Sequence, residues 1–113
     1  MGERLTSYRE FWPFYLAQHS EPGTRALHYF GTALGLALAV YAVATATWPA
    51  LLLAVASGYL FAWIGHIFIQ QNRPATFQYP LWSFLSDFRM FGFWLTGRLG
   101  RELKKYGIDG GRA

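Results

Sequence analysis

"ALHYFGTALGLALAVYAVATATWPALLLAVASGYLFAWIGHIFIQQN", Ala26 to Asn72, runs for 47 residues without an Asp, Glu, Lys or Arg. A helix needs about 20 apolar residues to cross a bilayer, so a run of this length predicts two spans and a tight turn. Thr47-Trp48-Pro49-Ala50 supplies the turn. Pro49 suits the first turn of a following helix, and Trp48 suits a membrane interface. The expected spans cover about 26–47 and 49–70. The competing reading is a soluble helical bundle with a buried hairpin. The absence of charge over the whole run favours the membrane.

The flanks are shorter and more polar. Ser7 to Gln18 is rich in aromatics and predicts a short helix over about 7–18, and Ser20-Glu21-Pro22-Gly23 reads as a break before the first span. Downstream, Pro74 and Pro80 bracket a stretch that cannot be regular helix. Beyond Pro80, Leu81, Phe84, Leu85, Phe88, Phe91 and Leu95 recur at helical spacing, predicting a helix over about 80–105. Asp87 and Arg89 make a full crossing there costly, so an amphipathic interfacial or re-entrant helix is expected, with a third span as the runner-up. Residues 107–113 read as a frayed tail. There is no internal repeat and no low-complexity segment. The fold class is thus all-α: a small integral membrane protein, one domain over 1–113, built on a two-span hairpin.

Composition agrees. Charged residues make up 14% of the chain, well below the usual quarter for soluble domains. The formal net charge of +4 comes from basic residues that are sparse and lie at the edges of apolar segments, which fits anionic lipid rather than nucleic acid. The absence of cysteine excludes disulfides and thiolate metal sites. Glu3, Arg4, Arg9 and Glu10 interrupt the first ten residues, unlike a signal peptide. Arg4, Arg9 and Arg25 precede the hairpin, Arg73, Arg89, Arg98, Arg101, Lys104 and Lys105 follow it, and the turn is uncharged. The positive-inside rule therefore predicts that both termini are cytoplasmic.

The chain has three histidines: His19, His28 and His66. With Trp48 at the hairpin tip, His28 and His66 fall roughly 30 and 27 Å from it at about 1.5 Å per residue. They should share one depth near the cytoplasmic interface, and His19 can fold back to it across the Pro-Gly break. Gly31, Gly35 and Ala39 follow His28 at helical spacing, and Ala54, Gly58 and Ala62 lead to His66 at every fourth position. Small-residue stripes are where membrane helices approach closely, so His28 and His66 are expected to converge.

Three neutral imidazoles would bind a divalent metal and leave positions open. Without a carboxylate ligand the ion keeps its positive charge, which suits an anionic bidentate substrate such as a 2-hydroxy acid; on octahedral iron a position remains for O2. Two other readings stand beside this one. The histidines could be interfacial hydrogen-bonders in a non-enzymatic scaffold or assembly protein, or His28 and His66 could be the axial ligands of a haem. Arg73 or Asn72 could hold a substrate carboxylate, although lipid phosphate is the default partner of an interfacial arginine. Asp87 could pair with Arg89 or Arg73, or orient a ligand histidine. There is no Gly-rich phosphate loop and no Gly-x-Ser-x-Gly nucleophile motif.

"QHSEPGTRALHYFGT" (Gln18 to Thr32) and "WIGHIFIQQNRPATFQYPLWSFLSDFRMF" (Trp63 to Phe91) resemble the small membrane-protein family that includes the fungal 2-hydroxy fatty acid dioxygenase. The resemblance covers about Phe11 to Phe91. It implies an Fe(II)-dependent dioxygenase that shortens 2-hydroxy fatty acids by alpha-oxidation, with His19, His28 and His66 as the catalytic iron ligands. The implied partners are a 2-hydroxy fatty acid, O2 and the lipid membrane, with a homo-oligomer left open. The chain departs from the family pattern at Gln70, where a Glu is usual four residues after the Gly-His histidine. If that Glu is a ligand or a second-shell base, then with Gln70 in its place the chain would bind iron differently or not at all. The fungal enzyme is also longer between its second and third histidines.

Overall fold

Residues 4–108 are described by a computed structural model. Among them are five α-helices, three of which open on a proline: α1 (Tyr8–Ala17), α2 (Pro22–Thr45), α3 (Pro49–Ile64), α4 (Pro80–Leu95) and α5 (Leu99–Lys105). Proline suits this position because its φ is already helical and its missing N–H would have had no partner in the first turn. Pro22 explains why α2 starts upstream of the uncharged run and carries Arg25 in its first turn. α2 ends where Ala46 turns left-handed, at φ 54°. A π-helical turn, Gly65–Gln70, continues α3, and a 3-10 turn, Ala75–Phe77, lies in the proline-bracketed loop.

α2, with 24 residues, and α3 plus its π turn, with 22, are each long and apolar enough to cross a membrane. Only 22% and 17% of their most apolar windows are buried within the protein. The core helix of a soluble protein would be mostly covered. Here Leu52 and Phe68 are 75% and 72% exposed, and what the chain leaves uncovered is hydrocarbon-like.

The hairpin closes through its small residues. A Cβ on Gly35 would lie 2.9 Å from the Ala54 carbonyl oxygen, and one on Gly31 would lie 3.3 Å from the carbonyl oxygens of Ser57 and Gly58. Nearer the open end, a Cβ on Gly65 would come within 3.2 Å of Thr24 Cα. Backbone meets backbone, so a side chain at Gly35 would force the helices apart and one at Gly31 or Gly65 would be tight.

The buried core lies beside the open end of the hairpin, not within it. Phe11, Trp12, Tyr15 and Leu16 of α1 pack with Tyr79, Met90, Leu99 and Leu103. Polar contacts tie the same elements: Trp12 Nε1 donates to Glu102 at 2.8 Å, Tyr8 and Ser86 share a 2.8 Å hydroxyl hydrogen bond, and the Arg89 guanidinium lies 4.1 Å over the Trp12 ring. α4 is packed the reverse of a water-soluble helix. Ser83, Ser86 and Met90 face inward, while Leu81, Phe84, Leu85, Phe88 and Leu95 face out. Its 16 residues rise about 24 Å, short of the roughly 30 Å hydrocarbon core. The helix expected over 80–105 is broken, because Gly97 takes φ 74° and the chain restarts at Leu99. Of the tail expected to fray, Ile108 packs against the core; residues 109–113 lie outside the described residues.

These contacts predict opposite outcomes for two glycines. Gly35→Ala should destabilise the hairpin by about 1–3 kcal/mol through overpacking. Gly92→Ala in α4, where a Cβ meets nothing within 4 Å, should be neutral or stabilise by up to about 1 kcal/mol. Thermal unfolding in one detergent reads both, and equal midpoints would contradict the close approach of the helices.

Candidate metal centre

Three different elements deliver the three histidines. His19 follows the last turn of α1, His28 lies on the second turn of α2, and His66 lies in the π turn that ends the hairpin. Arg25 fixes the short link between the first two by donating to the carbonyls of His19, at 2.8 Å, and Ser20, at 3.0 Å. π turns recur at functional sites. This one ends with Gln71 left-handed at φ 60° and the Asn72 N–H bonded back to the His66 carbonyl at 2.9 Å. The chain thereby folds Asn72 against the His66 ring.

All three imidazoles are buried, at 1%, 4% and 2% exposure, and each is bonded through Nδ1. His19 Nδ1 meets the Tyr15 carbonyl at 2.6 Å and His28 Nδ1 meets the Thr24 carbonyl at 3.0 Å. Carbonyl oxygens only accept, so both Nδ1 atoms carry the proton. His66 Nδ1 meets Asn72 Oδ1 at 2.7 Å. The Asn72 amide is oriented by its nitrogen, which donates to the Gln18 carbonyl at 3.1 Å and to Gln18 Oε1 at 2.9 Å. Its oxygen therefore faces His66, whose Nδ1 must donate as well.

It follows that all three Nε2 atoms bear lone pairs and no proton, yet they point at one another. His19 Nε2 is 3.0 Å from His28 Nε2 and 3.0 Å from His66 Nε2, and the whole donor set lies within 4.8 Å. Lone pairs this close repel unless a cation lies between them. Metal–nitrogen bonds of about 2.1 Å at near right angles bring two nitrogens about 3.0 Å apart. The cavity they line, with Trp63, Ser83 and Asp87, has about 10 Å³ of free space, room for about one atom-sized guest. The donor set therefore fits a metal ion. Burial, and then the neighbouring rings of His28 and His66, hold His19 well below the ordinary histidine pKa, which keeps it in the neutral form that a metal requires. A haem does not fit. The His28 and His66 rings are only 5.1 Å apart, with His19 against both, and a cavity this small cannot admit a macrocycle.

The other residues singled out from sequence are placed as follows. Asn72 stands behind His66 as its hydrogen-bond acceptor. Gln70 clamps the link between α1 and α2: its amide donates to Ser20 Oγ at 2.7 Å and accepts from the Glu21 N–H at 2.9 Å. Arg73 is exposed on the following loop. Asp87 lines the cavity and bonds to the Tyr15 hydroxyl; Arg89, one partner expected for it, lies over Trp12 instead. Burial pushes the Asp87 carboxyl up to about 7, against a lowering by the Tyr15 hydrogen bond.

Tyr15, Ser83 and Trp63 are among the residues that escaped the sequence reading. Tyr15 accepts the His19 proton through its carbonyl, stacks on the ring at 4.1 Å between centroids and reaches Asp87. Its position four residues before His19 on an aromatic helix was the available signal. Ser83 Oγ and Trp63 Nε1 are buried without a protein partner and belong to the lining of the same cavity. Nothing in the sequence marks them, because the π turn and the loop decide where they lie.

A family model described as "Mpo1-like: 2-hydroxy-palmitic acid dioxygenase Mpo1-like" matches residues 5–99. This is most of the chain, and the protein belongs to that family. No curated protein and no solved structure matches it.

Two outcomes follow from the site. Asn72→Ala removes the acceptor that orients His66 and should weaken binding of a divalent ion about 10–100-fold, read by anaerobic Co(II) titration; unchanged affinity would show that Asn72 does not orient the ligand. In metal-free protein, Asp87 has a folded pKa of about 7 against an ordinary 3.8. The folded Asp87 carboxyl therefore binds more protons than the unfolded one between these values, and its own contribution to stability should be lost as pH rises from about 4 through 7, while buried His19, held below its ordinary pKa, pulls the other way. The stability of wild type relative to Asp87→Asn should therefore fall across that window, read from paired denaturation at each pH; a difference that does not change with pH would contradict it.

Proposed function

We propose that this member of the Mpo1-like family is an integral membrane, Fe(II)-dependent dioxygenase that removes one carbon from 2-hydroxy fatty acids. The observation that carries the reading is the convergence of three unprotonated Nε2 atoms in a family described as 2-hydroxy-palmitic acid dioxygenases. Zinc has no redox chemistry, so a three-histidine site that works on O2 needs a metal such as iron. Iron held by His19, His28 and His66 would supply the redox centre at which the 2-hydroxy acid and O2 meet.

The chain's own groups do the rest. Neutral ligands leave the site's positive charge to attract a carboxylate. Tyr15, Thr24 and Asn72 hold the three rings in the ligating tautomer. Ser83 and Trp63 offer donors to oxygen atoms of the substrate head, and Arg73 is exposed where an arriving carboxylate or a lipid phosphate would meet it. Asp87, near neutrality in pKa and bonded to Tyr15, is placed to hold or release a proton beside the cavity. Gln70 takes no part in the donor set, so the missing glutamate leaves the three nitrogens in place.

The overall reaction balances without a further reductant. A 2-hydroxy acid and O2 give the acid one carbon shorter, CO2 and water: the C1–C2 bond breaks, the substrate loses four electrons and O2 gains them. With α2 and α3 as spans, the site lies at the membrane surface on the side of both termini. The basic flanks support the cytoplasm as that side.

Oxygen uptake tests the reading. Protein in detergent, loaded anaerobically with Fe(II) and given 2-hydroxypalmitate, should consume one O2 per acid and release pentadecanoate. His66→Ala should bind little iron and abolish uptake. Iron bound in the stated stoichiometry with no turnover of 2-hydroxy acids of any chain length would sink the proposed activity.

A further inference from the structure

A second, larger cavity adjoins the metal centre. It has a volume of about 330 Å³ and runs between α2, α3 and α4, within the range of small-ligand sites. His28 and Asp87 line both cavities, so the two meet there. From that end the larger one extends along α2 to Ala39, roughly 16 Å at about 1.5 Å per residue. Away from His28 and Asp87 its walls are almost wholly apolar, with Gly35, Val55, Gly58, Phe84 and Phe88 among them.

Gly58 is the informative residue. Gly31 and Gly35 are glycines because backbone presses on them, but a Cβ at Gly58 would meet no atom within 4 Å. Glycine inside a helix weakens it relative to alanine, and packing gives no reason for one here. The space that a side chain would fill is left to the groove. Gly58 lies eight residues before His66, roughly 12 Å along the helix.

Resting on the dioxygenase reading, we infer that this groove holds the acyl chain of the 2-hydroxy acid, and that Gly58 sets how long a chain fits. Polar groups occur where the head must lie, and apolar walls lead away from them. Phe84 and Phe88, half-open on α4 and edge-to-face at 5.1 Å, wall the side that faces outward. A substrate could enter sideways from the bilayer, its carboxylate and hydroxyl reaching the histidines while its tail never leaves an apolar surround. The rival occupant, the tail of a bilayer phospholipid, would make no use of the junction with His28.

Chain-length selectivity and photolabelling test this together. Iron-loaded wild type, Gly58→Ala and Gly58→Leu would be compared on 2-hydroxypalmitate and 2-hydroxyoctanoate. Each methylene denied burial should lower kcat/KM about four-fold. The ratio for the long acid over the short one should therefore fall at least about ten-fold in Gly58→Leu and less in Gly58→Ala. An unchanged ratio in variants that still bind iron would overturn the inference; if Gly58→Leu does not fold, Gly58→Ala carries the comparison. Independently of turnover, 2-hydroxypalmitate with a diazirine near its tail should label α2 around Leu36–Ala39 and α3 around Leu51–Val55. Excess unlabelled acid should protect these sites, and Gly58→Leu should weaken the labelling. Label elsewhere, or label displaced equally by phosphatidylglycerol, would overturn the assignment. Groove labelling by a protein that turns over no 2-hydroxy acid would sink the dioxygenase reading and leave the groove standing.

Discussion

Three buried imidazoles cannot turn their lone pairs on one another without a reason, and the chain is arranged to make them do so. Each Nδ1 proton is committed to an oxygen that can only accept, which removes the tautomeric freedom a histidine normally has. The surrounding structure serves that commitment. Tyr15 and Thr24 are helix residues one turn before their histidines, so the α-helix itself supplies two of the acceptors. The third needs the π turn, which bends the chain until Asn72 meets His66, and Asn72 is in turn oriented by Gln18 beside His19. The site is closed by contacts between the segments that carry its ligands, and disturbing one segment loosens the others.

The apolar surface sets a second constraint. Two long helices leave most of their hydrocarbon outside, and α4 turns its serines inward and its leucines and phenylalanines outward. An aqueous protein would gain by reversing that helix. At a membrane interface the arrangement would lower free energy, because lipid would cover the outward face, while an aromatic core anchors α1, α4 and α5 beside the hairpin's open end.

The chemistry at the boundary is set by charge as much as by shape. No carboxylate belongs to the donor set, and the nearby acid, Asp87, is held partly neutral by burial and engaged by Tyr15. An anion approaching a metal ion held there would meet positive charge without a competing negative ligand. Gln70 adds no negative charge beside His66 and acts on the link between α1 and α2.

Much of this was legible in the sequence, for identifiable physical reasons. An uncharged run of 47 residues with a Trp-Pro turn dictates a helical hairpin, because backbone polar groups in hydrocarbon must be bonded within their own segment. Glycine and alanine stripes fixed which faces meet, and equal distances from the turn brought His28 and His66 to one level. What only the tertiary structure decided are the features that depend on long-range contact or on a local break in periodicity. The π turn follows no hydrophobic period, so neither it nor Asn72's place behind His66 was visible. Gly97's positive φ breaks a helix whose apolar pattern runs straight through it. Tyr15, Ser83 and Trp63 enter the site because distant segments fold together. Gly31 and Gly58 look alike in the sequence; one is pressed by a neighbouring backbone and the other opens on a groove. That difference is set by how α2 and α3 pair, and α4 then supplies the outer wall of the groove.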